Sequence, residues 1–300
     1  MNPILKFAVV LIAAASAQIG AGAETFADRL AAAKNDPDKA EAILEAWRKA
    51  EPDKPERLVA AANYWWRLAT AIRIDASKKK EEIELLDENG KRAGSIGPGF
   101  DPGFAAKAVA ALREGTAAFP DRLDIWCGLS HLLQESKNPT DQLDVLKAMV
   151  AHAKQAKPGS LRWMDAPLDA EPGEFVADKV HAYGAHYYRM ENEFGDQAFG
   201  AIVGLLNKEF PEFAVGWNDQ ALYQHFIKRD TKAAIAALEK AHALSPDDYL
   251  IVFNIAKFAA LSGDKPKAVA WFTKVIEKSG DEDLSANAKE EIAALEKGES

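Results

Sequence analysis

Six histidines and a single cysteine, Cys127, are the side chains of this 300-residue sequence with the widest chemical reach. A metal site needs several imidazole, thiolate or carboxylate ligands converging at a spacing their element can supply. His181 and His186 are five residues apart, roughly 140° round a helix, so they do not share a face. His131 and Glu135 form one i, i+4 pair, and no His-Glu-x-x-His occurs. The histidines read as polar residues on helix surfaces or between helices, and neither a metal nor a cofactor is expected. His181, Tyr183, His186, Tyr187 and Tyr188 make an aromatic-rich stretch, read as core or groove lining. One cysteine leaves no disulfide framework and no cysteine zinc site. Beside Trp126, it reads as a buried, inert thiol.

Other candidate chemistries fail on context. Gly94-Ser95-Ile96-Gly97-Pro98-Gly99 is glycine-rich but lacks the lysine and hydroxyl of a phosphate-binding loop. No parallel-sheet pattern surrounds it, so it reads as a turn. Gly128-Leu129-Ser130-His131 misses the closing glycine of a nucleophile elbow and lies in a helical segment. Lys78-Lys79-Lys80 is followed at once by Glu81-Glu82 and reads as a solvated helix end. With 37 basic against 46 acidic residues the net charge is −9, which opposes broad binding to phosphate backbones, so no nucleic-acid partner is expected. A convergent polar site would have to form between the 183–189 helix and the Arg162–Asp165 loop. That is the enzymatic alternative; the principal reading is that the chain is not an enzyme.

The segments that would position these residues begin after residue 23. Phe7–Ala17 is an apolar run of eleven residues behind one lysine, the length of a signal-peptide core and short for a membrane span. Ala21-Gly22-Ala23 is a small-x-small site directly before Glu24. Residues 1–23 are therefore expected to be a signal peptide and 24–300 an exported domain, periplasmic or secreted; retention as an uncleaved anchor is the alternative. Cleavage predicts a mature charge of about −10 and no remaining membrane span.

From Phe26 onward the sequence is alanine-rich, in short amphipathic stretches, and it repeats. Phe119-Pro120-Asp121 is followed by Trp126, and Phe210-Pro211-Glu212 by Trp217, at the same spacing. Pro211 to Pro246 is 35 residues and Pro246 to Gly280 is 34, a period that indicates stacked helix pairs. In Tyr249–Gly280, Ala256 is a small residue where the first helix meets the second, Gly263 lies in the turn, and Ala268 and Phe272 share one face of the second helix. The unit before it repeats this with Trp217, Ala221, Ala234, Leu238, Ala241 and Pro246. On these residues the chain resembles the tetratricopeptide repeat (TPR) family, and more loosely a set of exported bacterial TPR proteins. The match is strong over 217–280, fair over 123–158 and degenerate over 24–52 and 174–211.

The remaining spacings are that period plus insertions. Pro55–Asp75 and Asp101–Pro120 both read as helices. Between them Glu82–Gly97 alternates and breaks at Asn89-Gly90, the strongest short hairpin signal, so a β-hairpin is expected at about 81–99. Residues 159–173 read as an irregular loop insertion and 284–297 as a capping helix. The predicted fold is all-α, a right-handed α-solenoid of five or six TPR-like helix pairs with one inserted β-hairpin. Stacked pairs offer a surface on their first helices for an extended peptide or a partner helix, and the resemblance implies protein–protein interaction without catalysis. The expected partner-binding residues are Tyr64, Trp65, Arg67, Tyr187, Arg189, Asn218 and Asn254, with Arg162, Trp163 and Asp165 of the loop, and the hairpin, at the rim. The family's best-known peptide clamp grips a terminal carboxylate with several basic residues. This chain lacks that basic set, so that ligand is not expected. A self-assembling structural protein is the other alternative.

Overall fold

The computed structural model describes residues 24–75, 83–86 and 92–297. The expected signal segment, the lysine run and the Asn89-Gly90 turn lie outside the described residues. The chain divides into two compact units, one of residues 24–145 with Lys157–Pro167, the other of Leu146–Ala156 with 168–297. The fold is all-α with a small β insertion, and the helices come in consecutive pairs.

In the first unit α1 (Phe26–Ala32) pairs with α2 (Pro37–Ala50), and α3 (Glu56–Ala69) with α4 (Pro102–Ala118). Next follow α5 (Leu123–Glu135) and α6 (Pro139–Gln155), within which the boundary between the units falls. Leu30, Ile43, Val59, Trp65, Leu112, Ile125 and Leu129 form one continuous core, with Phe26 stacked on Trp47 at 5.7 Å. The second unit holds α7 (Pro172–Tyr188) with α8 (Glu193–Glu209), and α9 (Ala214–Leu222) with α10 (Thr231–Leu244). The last pair is α11 (Tyr249–Leu261) with α12 (Lys265–Lys278), and α13 (Glu282–Lys297) covers its open side through Ala288 and Leu295.

Two local devices recur and account for the period. Five of the six pairs end on a residue that precedes proline, and the last ends at Ser279 before Gly280. A pre-proline residue is excluded from the helical region, so the helix must stop there. Glu51, Phe119, Phe210 and Ser245 accordingly share φ between −132° and −141° and ψ between 59° and 79°. Lys54, Arg122, Phe213 and Asp248 then close the same turn by donating N–H to the carbonyl three residues back, as Ser160 does to Lys157. Within a pair, the turn carries one residue in the left-handed region: Lys34, Lys137, Glu191, Arg229 and Gly263, with φ from 49° to 82°. An Asp or Asn then caps the second helix, at Asp36, Asn138, Asn192, Asp230 and Asp264, each accepting from the amide three residues on.

The sequence motif of Phe-Pro-acid followed by tryptophan has a direct physical basis. The indole N–H of Trp126 donates to the carbonyl of Pro120 at 2.8 Å, and that of Trp217 to Pro211 at 2.8 Å. The spacing of 35 rather than 34 is explained as well. Ala221 to Ala234 is one residue longer than Ala256 to Ala268, and the extra residue is taken up by a π-helical turn, Tyr223–Ile227.

The insertion between α3 and α4 is larger than a hairpin. β2 (Ile83–Leu86) and β3 (Arg92–Pro98) form the expected antiparallel pair, but β1 (Ile72–Asp75) adds to the other edge of β3, giving the order β1-β3-β2. The helix expected to run through to Asp75 therefore ends at Ala69; Ile72-Arg73-Ile74-Asp75 has the apolar–polar alternation and β-branched content of a strand. The insertion leaves and returns at one point, with Gly99 N bonded to Ala71 O and Asp101 N to Ala69 O. Asp101 then caps α4 through the amides of Gly103 and Phe104, so α3 and α4 pair as though contiguous. The second insertion is not wholly irregular: β4 (Arg162–Trp163) and β5 (Ala166–Pro167) pair about a turn in which Met164 has φ 55°.

Candidate functional site

In the second unit the first helix of each pair turns a small residue toward its second helix. A Cβ on Gly184 would lie 3.1 Å from Ile202, and Ala221 and Ala256 are fully buried in the equivalent places. That geometry leaves the residues two and three positions earlier on the adjacent face of α7, α9 and α11. There, side chains meet across neighbouring pairs. His181 on α7 places Nδ1 2.6 Å from Oδ2 of Asp219 on α9. Asn254 on α11 donates Nδ2–H to Oδ1 of Asn218 on α9 at 2.7 Å. Lys257, one position after Ala256 and so outside that pattern, reaches Glu291 on α13 at 2.7 Å. Two polar links thus join the first helices, and a third joins α11 to α13.

The His181–Asp219 link joins two titratable groups, one of them deeply buried. Asp219 is 4% exposed. Burial pushes its carboxyl up from the ordinary carboxylate value, with His181 pulling it back. Burial pulls His181 down, but the hydrogen bond and charge of Asp219 outweigh it, and Asp178 adds to them, so the imidazole stays charged above its ordinary range. Arg189 opposes this. The ring lies edge-on to Phe213 at 6.5 Å. Asn207 supports the same region from α8, donating to Gln220 at 3.0 Å.

The expected site residues divide by placement. Asn218 and Asn254 are brought together, and Arg189 is exposed at the end of α7. Tyr187 is fully buried, edge-on to Phe194 at 6.0 Å. Tyr64 and Trp65 are 5% and 4% exposed: Tyr64 donates its hydroxyl to Asp36 O, and Trp65 stacks on Phe104. These three aromatics build the core and do not present a surface, because their positions on α3 and α7 face the partner helices. Arg67 is exposed and already engaged, donating to Asn35 Oδ1 and Lys34 O across the face of Tyr64.

The loop residues Arg162, Trp163 and Asp165 are held against α5 of their own unit. Arg122, buried, forms a bidentate pair with Asp124 at 2.9 and 3.0 Å and also reaches Glu56 and Asp165. Asp124 Oδ1 accepts a second time, from Met164 N, and Arg162 N donates to Asp121 O. Arg162 and Asp165 are exposed, and the Arg162 guanidinium bonds Asp165 O. The enzymatic alternative needs the 183–189 helix and this loop, which belong to different units. Among the described residues no cluster of three or more His, Cys, Asp or Glu side chains is placed to hold a metal ion.

His181, Asp219, Lys257 and Glu291 were not among the expected site residues. Aligning repeats on Ala221 and Ala256 puts Asp219 where Asn254 stands, two residues earlier, and that correspondence was the available signal.

No family model matches this chain, and no curated protein matches it. Solved structures do align with it. A structure of MamA is 18% identical, covering 59% of this chain and 89% of its own, with a TM-score of 0.38. TTC0263, a thermophilic TPR protein of Thermus thermophilus, is 18% identical over 63% of this chain and 90% of its own, with a TM-score of 0.38. YrrB, described as a TPR protein with an unusual peptide-binding site, is 11% identical over 82% of this chain and 99% of its own, with a TM-score of 0.41.

Proposed function

We propose that this chain is an exported, non-catalytic scaffold that binds a protein or peptide partner through the first-helix face of its second unit. The observation that carries this reading is the run of polar links His181–Asp219, Asn218–Asn254 and Lys257–Glu291 along α7, α9, α11 and α13. Each amide, imidazole and ammonium in it has more donors or acceptors than its link uses, so an extended main chain could be bonded along the row. The β insertion and the pinned 162–167 hairpin serve as additional contact surfaces. An acidic chain of net charge −9 suits a protein partner better than a nucleic acid. No helix among the described residues is long and apolar enough to cross a membrane.

The test is affinity capture and crosslinking from cell-envelope extracts, using the wild type, an Asn218→Ala/Asn254→Ala variant and a variant lacking residues 82–97. Loss of a specific partner from the double variant, with the helical circular dichroism spectrum unchanged, supports the first-helix face. Loss only from the deletion moves the site to the insertion, and retention by all three refutes both.

A further inference from the structure

A second surface lies at the edge where the turns within pairs emerge, about two helical turns beyond Asn254 along α11. Phe226, in the π-helical turn, is 41% exposed, and Leu261, at the end of α11, is 56% exposed. Both adjoin the buried Phe258: its ring centre is 6.1 Å from that of Phe226, and Leu261 follows it by three residues on α11. The two exposed apolar groups, from neighbouring pairs, thus share one support. The π-helical turn is an added residue that the 34-residue unit does not need, and such bulges tend to mark functional sites. The next residues, Lys228 and Arg229, are exposed, as is Lys232. Arg229 has φ 60°, where a residue with a Cβ is disfavoured and the pair's counterpart Gly263 is not.

The charge at this edge opposes that of the chain. Asp230 and Asp264, the acids of the two turns, are each bonded to a helix amide as N-caps. Lys228, Arg229 and Lys232, all exposed, follow Phe226 within six residues, and Lys228 lies over the Tyr223 ring at 5.4 Å. His225 adds no charge near neutral pH: it packs on Phe258 at 4.6 Å, and burial and Arg229 hold its pKa down.

We infer that the Phe226–Leu261 edge docks an acidic amphipathic segment of a partner protein, its apolar side chains seated on Phe226 and Leu261 and its carboxylates facing Lys228, Arg229 and Lys232. An acidic peptide is favoured over an anionic lipid surface because the chain as a whole, at −9, is repelled by such a surface. The inference is independent of the first-helix reading.

The test is selection of a display library of short random peptides on the purified chain, followed by fluorescence anisotropy of the recovered peptides. The expected result is a family rich in Asp and Glu around two apolar residues, bound more weakly as salt rises. Binding should fall about tenfold or more in Phe226→Ser/Leu261→Ser and in Lys228→Glu/Arg229→Glu, and stay unchanged in Asn218→Ala/Asn254→Ala. All the altered edge side chains are exposed, and circular dichroism checks that the helices remain. Recovery of no acidic, apolar peptide overturns the inference. So do peptides indifferent to the edge variants, or peptides lost instead from the Asn218/Asn254 variant. Sedimentation of the chain with phosphatidylserine vesicles, abolished by the edge variants, would assign the surface to lipid and overturn it as well.

Discussion

His181 and Asp219 lie 38 residues apart in sequence and 2.6 Å apart in space, one on the first helix of its pair and the other on the first helix of the next. The link joins two repeats through a titrating group. With a pKa raised above the ordinary histidine value, His181 contributes stability that is complete below about pH 6.5 and is lost as pH rises through the raised value. Asp219, pushed up by burial, acts in the same direction at lower pH. Histidine titration by NMR should place His181 above about 6.5, and the Tm advantage of wild type over His181→Gln should be greatest near pH 6 and shrink toward pH 8.5. A His181 that titrates at or below its ordinary value defeats this account.

Arg122 is the anchor of the first unit's hairpin. Removing it in Arg122→Ala strands Asp124, 3% exposed, without its bidentate partner. A loss of about 3–5 kcal/mol is expected in urea unfolding, the size for one partner of a buried pair. Arg122→Lys should recover only part of it, since an ammonium cannot make the fork. A loss below about 1 kcal/mol would show that Asp124 is satisfied elsewhere.

The tryptophans that close the pre-proline turns should make contributions of similar size. Trp126→Phe and Trp217→Phe keep a ring and remove the N–H donated to Pro120 and Pro211. Each is expected to cost about 1 kcal/mol, with somewhat more at Trp217, where Lys240 sits 3.6 Å above the ring. Denaturation midpoints unchanged in both would mean the turn is held by proline alone.

Left-handed residues inside the pairs offer the opposite sign. Lys137→Gly and Glu191→Gly relieve a φ of 55° and 49° without touching a cap. Each should raise stability by up to about 1 kcal/mol after the added freedom of the unfolded chain is deducted. Gly263→Ala, where φ is 82°, should lower it. A fall in Tm for both glycine variants would show that the lysine and glutamate side chains stabilise the turns more than their backbone costs.

What is legible in the residues depends on whether the determinant is local. Proline stops a helix by acting on its immediate predecessor, so Pro52, Pro120, Pro211 and Pro246 mark the pair boundaries directly. Trp126 and Trp217 are conspicuous for the same reason, bonding within six residues. β1 escapes notice because four residues of alternation directly follow a long helix and contact β3 twenty residues later. Aromatic type does not separate core from surface, and so Tyr64, Trp65 and Tyr187 suggest a binding face although each fills a helix interface. In sequence the natural companion of His181 is its neighbour His186, while its actual partner Asp219 sits one repeat away. A link between repeats becomes visible only when the repeats are aligned residue by residue.

The π-helical turn at Tyr223–Ile227 lets an array of packed pairs accept a change of length. Its surplus residue is stored as a wider ring of backbone before the cap at Asp230, so Ala234, Leu238 and Ala241 still reach the core positions taken by their counterparts in the next pair. Had the addition been passed along the helix instead, every later side chain would have turned by about 100° and the apolar stripe would have rotated out of its groove. Ancestral gains and losses of single residues can therefore be tolerated where they arise, and a repeat of 35 can stand beside one of 34 without either yielding its seat.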